Sequence, residues 1–294
     1  MSGRVHYAEV IGDPVAQSKS PAIHKFWLDR LKLSGDYRRT HVPRGTVADF
    51  LRERRSDPDW LGCNVTIPHK VDAADLVDEL DEKAGAIGAV NCVVSRRSGL
   101  FGTNTDIEGV GAGLDGTALE GAKAAIIGGG GASRAATAYL ASRGVSELLI
   151  LVRDPQKAEP LRAIAPAIRV IVAPIDTARD SLEGSAAIIN ATQLGMTGYA
   201  QMSGDLIDGV ARHACGVTLF DMVYEPIETR FLATGREAGG TVVDGLTMLI
   251  GQAARAFELF YGAKAPPPDE RLRSLLIRGR NNPVDLGYNS APKH

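Results

Sequence analysis

The sequence predicts an α/β protein built as two domains, and three observations carry that reading. The first is length: 294 residues exceed the usual single domain, and 44% hydrophobic residues are enough for two cores. The second is alternation. Between residues 123 and 223, short apolar runs trade places with helix-forming stretches, the pattern of a parallel sheet covered on both faces. The third is the way one such run ends. Ala124-Ala125-Ile126-Ile127 stops at Gly128-Gly129-Gly130-Gly131-Ala132-Ser133, and Arg134 to Ala141 follows with good helix formers. Strand, glycine turn and helix make a Rossmann-like, doubly wound unit: glycines let the backbone approach a pyrophosphate, and a helix start offers free N–H groups and a positive dipole end. Gly128, Gly130, Gly131 and Ala132 are therefore the first candidate dinucleotide-binding residues, with Ser133 at the third glycine position of the fingerprint.

In chain order, Tyr7 to Gly12 reads as a strand ending in the turn Gly12-Asp13-Pro14. Gln17-Ser18-Lys19-Ser20-Pro21 then leads into a helix from Pro21 to Leu33, with Ser20 placed to cap it. Ser18 has no capping role and is a loop serine open to function. Asp36 to Val42, Thr46 to Arg55 and Leu61 to Thr66 read as strand, helix and strand, which suggests parallel pairing through right-handed crossovers. Asn64 and Thr66, two apart on a strand, project from one face. Lys70 follows the Ile67-Pro68-His69 turn at that strand's carboxyl end, where open α/β sheets bind ligands. As plain structure, Thr66 is a strand former and Lys70 a solvated helix start.

Asp81 to Ile87 reads as a helix, and Ala89 to Val94 with Gly99 to Gly102 as a hairpin. Asn91 interrupts apolar neighbours, so its amide needs partners, as a structural bridge or a ligand contact. Asp106 precedes a helix reaching Leu114, which it could cap, and the boundary between the two domains falls here, at 105/106. The second domain repeats strand and helix over Lys123 to Ile127, Ala132 to Arg143, Glu147 to Val152, Pro155 to Ala165, Arg169 to Val172, Ala186 to Asn190 and Val217 to Val223. Its second strand ends at Arg153-Asp154, with Lys157 one turn later. Arg153 and Lys157 can hold a 2′-phosphate, which favours NADP, while Asp154 pulls toward NAD. A helix from Leu246 to Tyr261 carries Met248 and Gln252 four apart on one face, and Pro266-Pro267-Pro268 stops it. Asp269 to Arg278 reads as a last helix, and 279–294, poor in large apolar residues, as a flexible tail.

Charge and composition narrow the partners. With 33 basic and 35 acidic residues there is no basic footprint for nucleic acid. Cys63, Cys92 and Cys215 are few and widely spaced, and the six histidines form no metal-binding pair, so no metal is expected. Met1 to Val10 holds Arg4, His6 and Glu9 and lacks a signal-like apolar run, and no apolar run reaches membrane-spanning length. A soluble cytoplasmic protein acting on a small molecule, monomer or homodimer, is the expectation.

Several motifs, in order, resemble the shikimate dehydrogenase family, the reductases of aromatic amino-acid biosynthesis. They are Gly12-Asp13-Pro14 with Ser18-Lys19-Ser20-Pro21, Asn64-Val65-Thr66-Ile67-Pro68-His69-Lys70, Gly88-Ala89-Val90-Asn91, Asn104-Thr105-Asp106, the glycine turn, Asn190-Ala191-Thr192, and Asp244-Gly245-Leu246 through Gln252. The likeness covers the chain up to about Arg278. It implies that Ser18 and Ser20 hold a substrate carboxylate with Tyr224 nearby. It implies that Asn64, Thr66, Asn91, Asp106 and Gln252 bind ring hydroxyls, and that Lys70 and Asp106 are the catalytic pair. It implies that Met222, Gly245 and Met248 line the nicotinamide pocket, and that Arg153 and Lys157 meet a 2′-phosphate. The implied fold puts 1–105, completed by 243–278, in a substrate domain and 106–242 in an NADP domain, with the cleft between them. The chemistry suits these residue types. Ketone reduction leaves negative charge on oxygen as hydride arrives, so a lysine ammonium beside it can donate the proton, with Asp106 orienting it and relaying. Val152, Asp154, Gln193 and Thr247 depart from the family pattern. A quinate or dual quinate/shikimate dehydrogenase using NAD is the alternative reading, and a non-catalytic shikimate or dinucleotide sensor a remote one.

Overall fold

The computed structural model describes residues 4–278, so the tail expected at 279–294 lies outside the described residues. The first sheet is assembled from β1 (Tyr7–Gly12), β2 (Asp36–His41), β3 (Trp60–Val65), β4 (Glu79–Leu80), β5 (Cys92–Arg96) and β6 (Gly99–Thr103), in the order β2-β1-β3-β5-β6-β4. α1 (Ser20–Leu31) and α2 (Val47–Arg54) are the crossovers that make β1 parallel to both β2 and β3. The hairpin then turns the sheet antiparallel through β3/β5 and β5/β6. α3 (Glu82–Ile87) leads into that hairpin, with Asp81 accepting from the Ala84 N–H as its cap. β4 has only two residues, too short for any periodicity to announce it.

α4 (Asp106–Gly113) carries the chain to a second sheet. Its units are β7 (Lys123–Ile127), α5 (Gly131–Ser142), β8 (Glu147–Val152), α6 (Pro155–Ala158), β9 (Arg169–Pro174), α7 (Ala178–Ser181), β10 (Ser185–Asn190), α8 (Gly204–His213), β11 (Thr218–Asp221), α9 (Arg230–Glu237) and β12 (Thr241–Val243). All neighbours are parallel, in the order β12-β11-β10-β7-β8-β9. Ile126 and Ile150 face one core and Ile127 and Leu151 the other, as alternation on doubly covered strands demands. The order reverses between β7 and β10, so the carboxyl ends of these two strands flank the crevice typical of dinucleotide sites. The single helix expected over 155–165 is instead four residues of α6 and a 3₁₀ stretch, Glu159–Ile164. Pro160 lacks an N–H and disfavours α geometry at Glu159.

α10 (Gly245–Tyr261) and α11 (Glu270–Arg278) return to the first sheet. Phe257 and Leu272 share a core with Ile23 and Trp27 of α1, and Ala256 and Phe260 pack on Ala8, Val10 and Tyr37. No helix among the described residues is long and apolar enough to cross a membrane.

α4 and α10 join the two halves, and they cross through glycines. A Cβ at Gly109 would lie 2.7 Å from the Met248 carbonyl oxygen and 3.2 Å from Gln252 Cβ, and one at Gly251 would lie 2.9 Å from Ala112 Cβ. Asp106, at the head of α4, is thereby brought beside Met248 and Gln252. Gly109→Ala is expected to cost about 1–3 kcal/mol through overpacking against a backbone carbonyl, more than the ~1 kcal/mol it gains in helix propensity. Thermal unfolding and steady-state rates check this: Tm and kcat should fall together, and an unchanged Tm would show that the crossing has slack.

Candidate active site

Lys70 leaves the turn that follows β3, and its backbone carbonyl is anchored by the Val90 N–H at 2.7 Å. Its Nζ lies 2.5 Å from Asp106 Oδ2, with side-chain exposures of 18% and 6%, so the pair is screened yet reachable from one side. Asn91 Nδ2 donates to the other carboxylate oxygen, Oδ1, at 2.8 Å, and Asn91 Oδ1 accepts from the Thr105 N–H at 2.7 Å. The amide that interrupted an apolar run is thus a bridge fixing the carboxylate. Asn104 closes the frame, donating to the Ala89 carbonyl and accepting from the Asp106 N–H.

Two capping expectations are corrected. Asp106 does not cap α4: Thr105 is the N-cap residue, Asp106 is the first helical residue, and no side chain caps the helix. Ser20 likewise does not cap α1, where Lys19 is the N-cap residue and no side-chain cap bond forms. Both helices start one residue earlier than read from the sequence, so the Asp106 carboxylate and the Ser20 hydroxyl are not spent on helix ends.

Of the other substrate-side candidates, Asn64 and Gln252 are bonded to residues of this frame. Asn64 is buried, accepting from the Tyr37 hydroxyl at 2.6 Å and donating to the Asn91 carbonyl at 3.3 Å. Thr66 sits just past β3, its methyl packed so closely on Gly12 that a Cβ there would meet Thr66 Cγ2 at 2.4 Å. Gln252 Oε1 accepts from the Thr105 hydroxyl at 3.4 Å while its Nε2 donates to the Leu249 carbonyl. Ser18 lies on the loop between β1 and α1 and Ser20 is the first residue of α1, with the Ser20 N–H 3.4 Å from Ser18 Oγ. Burial pushes the Tyr224 phenol up from its ordinary value, so it stays an O–H donor. Tyr37 and Arg39 went unnoticed in the sequence, and Thr105 entered only within the Asn104-Thr105-Asp106 motif. A strand tyrosine, an edge arginine and a loop threonine look like ordinary structure until their partners are known.

Facing these groups is the glycine turn. Gly128 has φ +119°, and a Cβ on it would strike Thr192 Cγ2 at 2.8 Å, so the position requires glycine. Gly130 is the N-cap of α5 with open space where a side chain would stand, and Gly131 and Ala132 open the helix. That cradle, with no side chain capping α5, fits a pyrophosphate. A Cβ on Gly131 would stand 3.6 Å from Lys70 Cδ, and Arg134 Nη1 donates to the Ile87 carbonyl at 2.7 Å, so the two halves touch beside the catalytic candidates. Arg153 is exposed at the end of β8. Asp154 caps α6, accepting from the Gln156 N–H at 3.2 Å, and lies 3.6 Å from Lys157 Nζ. Met222, Gly245 and Met248 converge where α10 starts, since a Cβ on Gly245 would meet the Val223 and Met222 carbonyl oxygens at 2.5 and 2.7 Å. Asp221 fastens that corner, accepting from Asn190 Nδ2 and the Val223 N–H at 2.8 and 2.9 Å and from the Thr229 hydroxyl. Burial pushes its carboxyl up to about 6. Among the described residues no group of three or more His, Cys, Asp or Glu could hold a metal ion.

Three family models match the chain: the shikimate dehydrogenase substrate binding domain over residues 10–93, shikimate/quinate 5-dehydrogenase over 113–199, and the shikimate 5′-dehydrogenase C-terminal domain over 245–269. A shikimate dehydrogenase (NADP⁺) of Sphingopyxis alaskensis is 46% identical over 275 residues, covering 92% of this chain and 97% of that one. The chain belongs to the shikimate dehydrogenase family. Among solved shikimate dehydrogenases, that of Thermus thermophilus with NADP(H) and shikimate is 32% identical with a TM-score of 0.78, covering 94% of this chain and 99% of its own. That of Listeria monocytogenes with shikimate and NAD is 28% identical with a TM-score of 0.83, covering 94% and 98%. The two-domain α/β architecture expected from the sequence is the architecture of this family.

Proposed function

We propose that this chain catalyses the reversible NADPH-dependent reduction of 3-dehydroshikimate to shikimate, a step of chorismate and aromatic amino-acid biosynthesis, in the cytoplasm. The observation that carries the reading is the Lys70–Asp106 pair, pinned by Asn91 and lying against the glycine turn. Residues 1–105 with 243–278 act as the substrate domain and 106–242 as the cofactor domain.

NADPH supplies the hydride when bound. Gly128, Gly130, Gly131 and Ala132 accommodate its pyrophosphate, Arg153 and Lys157 its 2′-phosphate, and Met222, Gly245 and Met248 its nicotinamide. The carbonyl oxygen gains negative charge as the ketone carbon is reduced, and Lys70 Nζ gives it a proton. Asp106 holds Lys70 in place and accepts from a ring hydroxyl, while Asn64, Thr66, Asn91 and Gln252 complete the hydroxyl contacts. Ser18, Ser20 and Tyr224 donate to the substrate carboxylate. In the reverse direction Lys70 takes the hydroxyl proton, with Asp106 as relay.

Steady-state rates with shikimate and quinate, each with NADP⁺ and NAD⁺, test the reading. Shikimate with NADP⁺ is expected to give the highest kcat/KM, because a site that hydrogen-bonds particular hydroxyls rejects a mismatched ring by up to about 10⁴-fold. A win for quinate with NAD⁺ would overturn it.

A further inference from the structure

The loop that carries Ser18 and leads into Ser20, the first residue of α1, has little regular structure of its own. It is held internally by the Ser18 N–H on the Val15 carbonyl at 3.0 Å, and to the turn after β3 by the Asp13 N–H on the Ile67 carbonyl at 2.9 Å. From outside, Arg39 donates to the Ser18 carbonyl through both Nε, at 2.9 Å, and Nη2, at 2.5 Å, while His41 Nε2 lies 2.9 Å from Asp13 Oδ1 at the other end of the loop. Two donors of a planar fork converging on a single oxygen fix that oxygen in direction as well as distance, which a point-charge ammonium cannot do. The base of the fork is rigid. Arg39 stands on the edge strand β2, in register with Val10 of β1, so the grip on the loop is referred to the first sheet. Lys19, between the two serines, donates to the Leu276 carbonyl of α11 at 2.5 Å and lies 3.8 Å from Glu225, next to Tyr224. The same guanidinium is close enough to Tyr224 for its charge to oppose the effect of burial on that phenol.

We propose that Arg39 is the positioning residue of the substrate-carboxylate subsite: its fork sets where the Ser18 hydroxyl stands relative to Ser20 and Tyr224. The proposal rests on the function stated above, since it names how the carboxylate end of that substrate is recognised. Arg39 touches the loop backbone and not the reacting atoms, so it governs binding and leaves the proton transfer at Lys70 alone. Free hydroxyls on an ungripped loop would have to be ordered by each substrate molecule, and that ordering is charged against affinity.

The experiment compares wild-type enzyme with Arg39→Met, which keeps the apolar stem, Arg39→Lys, which keeps the charge, and Arg39→Gln, which keeps one amide donor. KM for shikimate is expected to rise about 10-fold or more in Arg39→Met, equivalent to about 1.4 kcal/mol. kcat and KM for NADP⁺ should stay within about twofold, and Arg39→Lys should recover only part of the loss because the fork is gone. A general structural role would not produce that split. Ser18→Ala supplies the second axis: the Arg39→Met penalty should shrink in the Ser18→Ala background, since the two act through one contact. Unchanged KM for shikimate, an equal rise in KM for NADP⁺, or penalties that multiply in the double variant would each overturn the proposal. Failure of the wild-type enzyme to oxidise shikimate would overturn the function instead, so the two outcomes are separable.

Discussion

Replacing Lys70 with alanine is expected to lower kcat by about 10²- to 10⁴-fold in both directions, the usual share of a positioned proton donor, which is about 2.7–5.4 kcal/mol of barrier. NADPH affinity should change little, because the glycine turn, Arg153 and Lys157 are untouched. A second effect accompanies the first and must be separated from it. Asp106 is 4% exposed, and without Lys70 its carboxylate keeps only Asn91 as a side-chain partner, so the variant leaves a buried charge uncompensated and should lose a few kcal/mol of stability. The double variant Lys70→Ala/Asp106→Asn removes that charge, and an amide oxygen at 106 can still accept from Asn91 Nδ2. Melting temperature should therefore recover in the double variant while turnover does not. Stopped-flow single turnovers and thermal melts on the two variants make the comparison. A Lys70→Ala enzyme with normal kcat and only a raised KM for shikimate would reduce Lys70 to a binding group and remove the mechanism.

The sequence made the second sheet easier to read than the first, for a physical reason. Strands buried on both faces are continuous apolar runs, and Ile126-Ile127 or Leu148 to Leu151 could be little else. In the first sheet β4 has two residues and no pattern, and β2, with Arg38, Arg39 and Thr40, is too polar to reveal what its side chains hold. The candidate site was legible where a residue type was anomalous in its setting, as with Asn91 among apolar neighbours or Lys70 after a proline turn at a strand's carboxyl end. It was misread where one residue had two ordinary explanations. Ser20 and Asp106 each stand one position inside a helix rather than at its cap, a one-residue shift that sequence reasoning cannot resolve. Asp154 went the other way: read as a group aimed at a ribose, it turned out to cap α6. The pairing of Arg39 with the Ser18 carbonyl spans 21 residues and involves a backbone atom, so no side-chain pattern could have announced it.

The steepest pH effect is expected from a residue outside the site. His24 is fully buried on α1, its ring stacked on Tyr37 with centroids 3.9 Å apart and edged by Trp27 and Phe257, and neither ring nitrogen has a hydrogen-bond partner. Burial pulls its pKa down to about 3 from 6.5. Below pH 6.5 the unfolded chain takes up a proton at this position that the folded protein refuses. The stability that His24 contributes is therefore complete above pH 6.5 and is lost as pH falls toward 3, at up to about 1.4 kcal/mol per pH unit. Between pH 7 and 4.5 that is about 2.5 kcal/mol, a large share of a typical folding free energy of roughly 5–15 kcal/mol. Asp221 acts with the opposite sign, since a carboxyl raised to about 6 favours the folded state as pH falls, and lowered surface carboxylates such as Asp13 and Asp78 act with the same sign as His24. All of these are common to wild type and a His24 variant, so their contributions cancel in the difference. His24→Phe keeps the aromatic stack, removes two unpaired nitrogens and cannot titrate. Urea unfolding of both proteins at pH 7, 6, 5 and 4.5 should give wild-type stability falling faster than that of His24→Phe by about 2.5 kcal/mol across the range, whatever constant offset the larger ring introduces. Parallel curves would mean that the buried ring is protonated or solvated in the folded state. Because the Tyr37 hydroxyl holds Asn64 Oδ1, loss of this stack at low pH also releases a substrate-side amide, which ties the acid limit of the fold to that of the site.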